Sequence, residues 1–238
     1  MIYVKSIEIS SIADIVKNKL HTMSDSGLLE TGGMLKVDFF EDSLFQQNIK
    51  PLKNIEVEFF FKDSLMSIFS LKNKEKHNLW HEEIIERGYL TQDSLLFDYS
   101  ISKNYNILSP EILNSWINLD KYFFSREKKD LIINLNNFSL DTEYYLFFKN
   151  INTVCIGGLK KNKVVFKDIP LGLKAFILSL KNISESSINY SLTEVSTSDD
   201  VVNLLPLIKS NPKELNILLN KTFGESFKSN RTENKKED

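Results

Sequence analysis

The sequence predicts a mainly β chain: two sandwich-like units joined by an irregular excursion, then a short C-terminal helix and a disordered tail. Three observations carry this. Apolar and polar residues alternate, so that Ile55, Val57 and Phe59 fall on one side of an extended run while Glu56 and Glu58 fall on the other. The stretch from Thr142 to Leu180 holds three aromatic or β-branched runs, broken by turn chemistry at Gly157-Gly158 and Lys160–Lys163 and again at Pro170 and Gly172. Seventeen Phe and eight Tyr against four Met point to a core of aromatics on pleated surfaces.

In chain order, Tyr3 to Ile9 alternates as a strand. Ser10-Ser11 offers a helix N-cap, followed by an amphipathic turn of Ile12, Ile15, Val16, Lys19 and Leu20. A turn at Ser24 to Gly27 leads to strands at Met34–Phe40 and Asn54–Phe61, with Pro51 placed where a missing N–H costs little. Leu65 to Leu71 is a further short apolar run. Lys72 to Ser109 has the least pattern, with a charge run, Trp80 and Tyr89 in it, and Asp98 to Ile101 as a short strand. A domain boundary is expected inside this stretch.

Alternation restarts at Ser115 to Asp120, where Trp116 is expected to be buried as the anchor of its strand. Asp130 to Leu135 is another strand. Tyr190–Val195 and Val201–Ile208 follow the aromatic segment, the second with Pro206 inside it, which marks an edge. Asn211-Pro212 then caps a short helix that Gly224 closes. Ser226 to Asp238 is polar and charged. The expected organisation is a β unit at 1–72, the excursion at 73–114, a β-sandwich at 115–209, and the helix with its tail at 210–238.

Composition narrows the function classes. With 238 residues the chain can bury a sizeable core. A net charge of −2 gives no electrostatic case for nucleic acid. The single cysteine, Cys155, excludes an internal disulfide. The first ten residues alternate and carry charges, unlike a signal peptide, and no window is apolar enough to span a membrane as a helix.

Several short motifs in order resemble a family. Leu28-Leu29-Glu30-Thr31-Gly32-Gly33-Met34 ahead of a strand resembles a segment of the ZU5-like β-domains in envelope and surface proteins of Bacteroidetes-type bacteria. Leu65-Met66-Ser67-Ile68-Phe69, Asn78-Leu79-Trp80 and Trp116-Ile117-Asn118-Leu119-Asp120 resemble later pieces of it, with Leu119 where the family has cysteine. Phe166 to Gly172 resembles a Phe-x-x-Ile-Pro-x-Gly turn of carboxypeptidase-regulatory-like sandwiches. The resemblance implies a structural or binding module of the envelope or surface, without catalytic residues, metal or cofactor, and with other envelope proteins as partners. It also implies strands upstream of Ser6, and hence a truncated copy or a start further upstream.

The residues themselves offer few rivals. His77 and His81 would share a face if helical, and with Glu82 and Glu83 and the neighbouring Trp80 they define an alternative reading as a small hydrolase or hydrolase accessory domain. A zincin, however, has Glu directly after its first His, where Asn78 stands here. Cys155, between Val154 and Ile156, reads as a strand residue rather than a nucleophile. Gly32-Gly33 and Gly157-Gly158 lack the spacing of a phosphate loop. Lys160-Lys161-Asn162-Lys163 is a hairpin tip, and Glu82-Glu83 and Asp199-Asp200, being adjacent, point to opposite faces of a strand. No residue is therefore assigned a catalytic, cofactor-binding or metal-binding role.

Overall fold

The computed structural model describes residues 3–44, 48–49, 55–58, 67–74, 77–83, 105–108, 115–135, 139–181, 184 and 186–224. The expected strand at Asp98–Ile101, most of the excursion and the expected disordered tail lie outside these residues. Within them the chain is mainly β, as the alternation predicts, with two helices. No helix among them is long and apolar enough to cross a membrane.

Two compact units divide the chain, one of Met1–Glu8 with Gly32–Lys121 and one of Ile9–Thr31 with Tyr122–Asp238. This is not a division into the contiguous blocks expected from sequence. Strand β9 (Trp116–Tyr122) lies beyond the excursion but pairs antiparallel with β6 (Ser67–Lys74) before it, Ser67 opposite Asp120. The excursion is thus an insertion within one unit rather than a linker between two.

The first unit contains most of β1 (Tyr3–Ile9) and the latter part of β3 (Gly27–Phe40), which pairs with β4 (Asn48–Ile49). β5 (Ile55–Glu58) pairs with β8 (Tyr105–Leu108), and β6 with β7 (His77–Glu82). Sequence reading left His77–Glu82 in the unpatterned excursion. The ladder from β6 makes it a strand, and Trp80, opposite Leu71, is fully buried with Phe69 and Ile117. The tryptophan expected to be the anchor, Trp116, is only half-buried. It stands one residue outside the β6–β9 ladder, which closes at Ser70 opposite Ile117.

The second unit is a sandwich with a helical layer. One sheet has the order β12 (Ile151–Ile156), β11 (Thr142–Phe148), β15 (Lys174–Lys181), β16 (Ile188–Ser196), β17 (Ile208–Ser210). The other has the order β10 (Lys128–Asn134), β14 (Lys163–Pro170), β13 (Gly158–Lys160). Leu146, Phe148, Ile177 and Val195 from the first meet Leu131, Ile133, Val164 and Phe166 from the second in one core. Alternation puts Tyr145, Phe147 and Phe176 on the outer face of the five-stranded sheet. There Phe223 of α2 (Pro212–Phe223) sits 5.2 Å from the Phe147 ring and 5.3 Å from that of Phe176. α1 (Ile12–Lys17) lies beside α2.

Local chemistry sets the ends of these elements. Ser11 caps α1 by accepting from the Asp14 N–H at 3.1 Å, and Asn211 caps α2 by accepting from that of Glu214 at 3.0 Å. β2 (Met23–Ser24) and β3 pair as a hairpin about the turn expected at Ser24–Gly27. After β14, Gly172 adopts φ +79°, the left-handed conformation that its position after Pro170 predicts. The expected strand at Val201–Ile208 is shorter, beginning only at Ile208. Pro206 cannot donate to a ladder. The Leu205 N–H instead donates to Thr193 Oγ1 at 3.0 Å, and residues 201–207 belong to no strand.

Candidate functional site

Residues 203–207 close one side of a cavity of about 520 Å³ at an open end of the second unit's sandwich. Its other walls come from the last residues of β10, the start of β11 and the end of β15. Asn134 and Leu135 come from β10's end, Thr142 and Tyr144 from β11, and Ser179 and Lys181 from β15. Register explains the convergence: Thr142 is opposite Lys181 and Tyr144 opposite Ser179 in the β11–β15 ladder. Residues two apart on a strand share a face, so all four lie on the face toward the other sheet.

Toward the middle of the sandwich that same face is apolar, with Leu146 and Ile177. At the end it turns to hydroxyls. Thr142, Tyr144 and Ser179 are all buried and form the floor. Lys181 is half-buried, and Asn203 and Leu205 to Leu207 are exposed at the rim. Burial pushes the Tyr144 phenol up from its ordinary value, and the Thr142 hydroxyl beside it offsets part of that rise. Tyr144 is therefore a neutral hydrogen-bonding group across the physiological pH range.

Ser179 differs from its neighbours. Its Oγ is buried and makes no hydrogen bond to the protein, and the same is true of Ser191 Oγ. The two serines stand directly opposite each other in the β15–β16 ladder. Tyr144, Ser179 and Ser191 thus form a polar row across three strands, where the rows below it are apolar or mixed. Sequence reading missed this cavity. The one local signal was a serine at an inward position of the run Ala175, Ile177, Ser179.

The candidates named from sequence fall elsewhere. His77 and His81 lie on a strand, not a helix, and at the rise of an extended chain four residues span roughly 13 Å, too far to share one ion. Trp80 and His81 are adjacent in β7 and point to opposite faces, with Trp80 inside. Among the described residues no three of His, Cys, Asp and Glu are grouped to hold a metal. His21, buried in the second unit, accepts from the Met23 N–H through Nδ1 at 3.0 Å.

Cys155 is fully buried opposite Leu146, and burial pushes its thiol far above the ordinary range. Gly32 and Gly33 lie inside β3 and lead into more strand. Gly157 joins β12 to β13, where a side chain would overlap Val164. Asp199 Oδ2 accepts from the Ser196 N–H at 2.9 Å, while Asp200 reaches Lys129 at 3.5 Å.

Fold and site together define a β-sandwich chain with a hydroxyl-floored cavity at one end of the sandwich. The chain matches no known family, curated protein or solved structure.

Proposed function

We propose that the chain is a non-enzymatic binding module built on a β-sandwich and serving in a bacterial cell envelope or at its surface. The observation that carries the binding role is the cavity: Thr142, Tyr144, Ser179 and Lys181, held in register by one ladder, line it where the sandwich opens. A hydroxyl needs an adjacent base to become a nucleophile. The described lining residues supply hydroxyls, amides, one ammonium and apolar groups instead. That composition suits recognition rather than bond cleavage.

The placement in the envelope is supported by the order of short motifs from Leu28–Met34 to Phe166–Gly172, which resembles ZU5-like and carboxypeptidase-regulatory-like segments of envelope proteins. Other envelope components are then its partners. Two measurements test the reading. Purified chain should hydrolyse chromogenic esters, glycosides, phosphomonoesters and peptides no faster than buffer. An antibody against it should find the protein in the envelope fraction of its source cells. Turnover would overturn the first half, and recovery solely in the cytosol the second.

A further inference from the structure

The end of the second unit's sandwich where the cavity opens presents two kinds of exposed side chain, ammonium groups and leucines. We propose that this end docks on an anionic lipid surface, with its lysines at the headgroup phosphates and its leucines in the acyl boundary. The inference goes beyond the cavity and rests on the envelope reading for its location alone.

The ladders gather the lysines. Asn134 at the end of β10 is opposite Lys163, and Lys163 is opposite Lys160. Lys161 and Asn162 turn the chain between them, and the Asn162 carbonyl accepts from the Leu135 N–H at 2.8 Å. The hairpin tip is thereby tied to Asn134 and Leu135, both in the cavity wall. Lys160, Lys161 and Lys163 are all exposed, and Lys181 adds a fourth ammonium from the wall itself. None of the four forms an ion pair with a described residue. Asp141 is the one carboxylate in the stretches 134–142, 160–163, 179–181 and 203–207.

Like charges placed directly opposite in a ladder cost stability, and a negatively charged surface offsets that cost. Lys161 also holds a φ of +53°, which asparagine or glycine adopts more readily. The chain's net charge of −2 does not oppose such docking, because screening confines the attraction to groups within about 10 Å.

The leucines decide between partners. Leu140, next to Ser139 of the cavity wall, is 77% exposed, and Leu205 and Leu207 in the wall are 56% and 39% exposed. Pro206 between them is exposed too. Apolar side chains clustered in water mark an interaction surface. An acidic protein would engage the lysines and leave the leucines without a role. A bilayer interface engages both, since its charged headgroups overlie an acyl boundary that accepts apolar side chains.

The test sediments the full chain with vesicles of phosphatidylcholine alone or mixed with phosphatidylglycerol, using soluble polyglutamate as competitor. Binding should be saturable on the mixed vesicles and absent on phosphatidylcholine. Replacing Lys160, Lys161 and Lys163 together by Gln should weaken it about a hundredfold. The same change at the exposed Lys17, Lys174 and Lys221, on α1, β15 and α2, should weaken it less than about threefold. Leu140→Gln with Leu205→Gln should weaken it about tenfold at an unchanged melting temperature. An environment-sensitive dye on Leu140→Cys should shift to the blue on the mixed vesicles, Cys155 being buried from the label.

Equal binding to both lipids, or an equal loss in the control variant, would overturn the proposal. Binding indifferent to the leucines and abolished by polyglutamate would assign the lysines to an acidic protein, and overturn it as well. Failure to bind vesicles by a chain that fractionates with the envelope would overturn the docking and leave the envelope reading standing. Vesicle binding by a chain recovered solely in the cytosol would do the reverse.

Discussion

The hydroxyl of Thr22 closes a two-way bridge with the backbone of Val154, accepting from its N–H at 2.8 Å and donating to its carbonyl at 3.2 Å. The Thr22 N–H donates to the same carbonyl at 2.8 Å, and one residue away Thr153 Oγ1 donates to the Leu29 carbonyl at 2.8 Å. β12 is an edge of the five-stranded sheet, and an exposed edge invites unwanted pairing. Residues 22–29 cover it. Thr22 is fully buried, so Thr22→Val would leave the Val154 N–H without its acceptor in a dry place. The expected cost is about 1–3 kcal/mol, with Thr22→Ser costing less. Faster hydrogen exchange at the Val154 amide in Thr22→Val checks the mechanism; unchanged exchange would detach the segment from the edge.

Two glycines make opposite predictions about cause. Gly172 has open space around a built Cβ, so Gly172→Val should cost about 1–3 kcal/mol through its positive φ alone. Asparagine tolerates that conformation better, and Gly172→Asn should recover much of the loss. At Gly157 a methyl group would press on Val164 and Phe166 in the core. Gly157→Ala should destabilise by about 1–3 kcal/mol through overpacking, and a smaller partner, Val164→Ala, should partly relieve it. Equal losses with and without Val164→Ala would rule out the steric cause.

The elements were legible in sequence because alternation and turn residues are local signals. The Gly172 turn, both helix caps and most strands follow from spacing of a few residues. The assembly was not legible to the same degree. Nothing near Ser67 announces that it will face Asp120, or that Thr22 will bind Val154, because such pairings are set by long-range packing. His77–Glu82 reads as polar irregular chain until β6 is laid beside it. The cavity was hidden for the same reason. Its serine, threonine and asparagine residues are common in strands and turns, and only the ladder brings Thr142 beside Lys181.

Alkaline stability should fall in a defined order. Burial raises the Cys155 thiol above its reference value of 9.0. The folded state thus holds the neutral form while the unfolded chain can ionise, and stability is full below pH 9 and declines above it. Tyr145 is raised too, by burial first, then by the charge of Glu143 and by donating its hydroxyl to Glu143 Oε2 at 3.0 Å; with Tyr144 it adds to the decline above pH 10. Cys155→Ala should flatten the fall in melting temperature between pH 9 and 10 and leave the later fall in place. In the folded protein the thiol should resist iodoacetamide at pH 8 and react once denaturant is added. Rapid native labelling would contradict the burial.

The two tryptophans permit a last prediction, in which the sequence expectation and the structure disagree. Trp80, read from sequence as part of an irregular stretch, is fully buried in β7, whereas Trp116, expected to anchor its strand, is half-buried. The difference follows from position in the sheet. Trp80 lies inside the β6–β7 ladder, with pairs on both sides of it, while Trp116 opens β9 beyond its last pair with β6. The face Trp116 shares is also polar, since Asn118 and Asp120, both fully buried, hydrogen-bond to each other there. Trp80→Ala should therefore cost about 3–5 kcal/mol, and Trp116→Ala no more than about half of that. Fluorescence separates the pair without relying on unfolding. With Trp116→Phe, the remaining Trp80 should emit toward the blue and resist quenching by iodide. With Trp80→Phe, the remaining Trp116 should emit further to the red and be quenched in part. Equal quenching of the two, or the reverse order, would mean that β7 does not lie against β6.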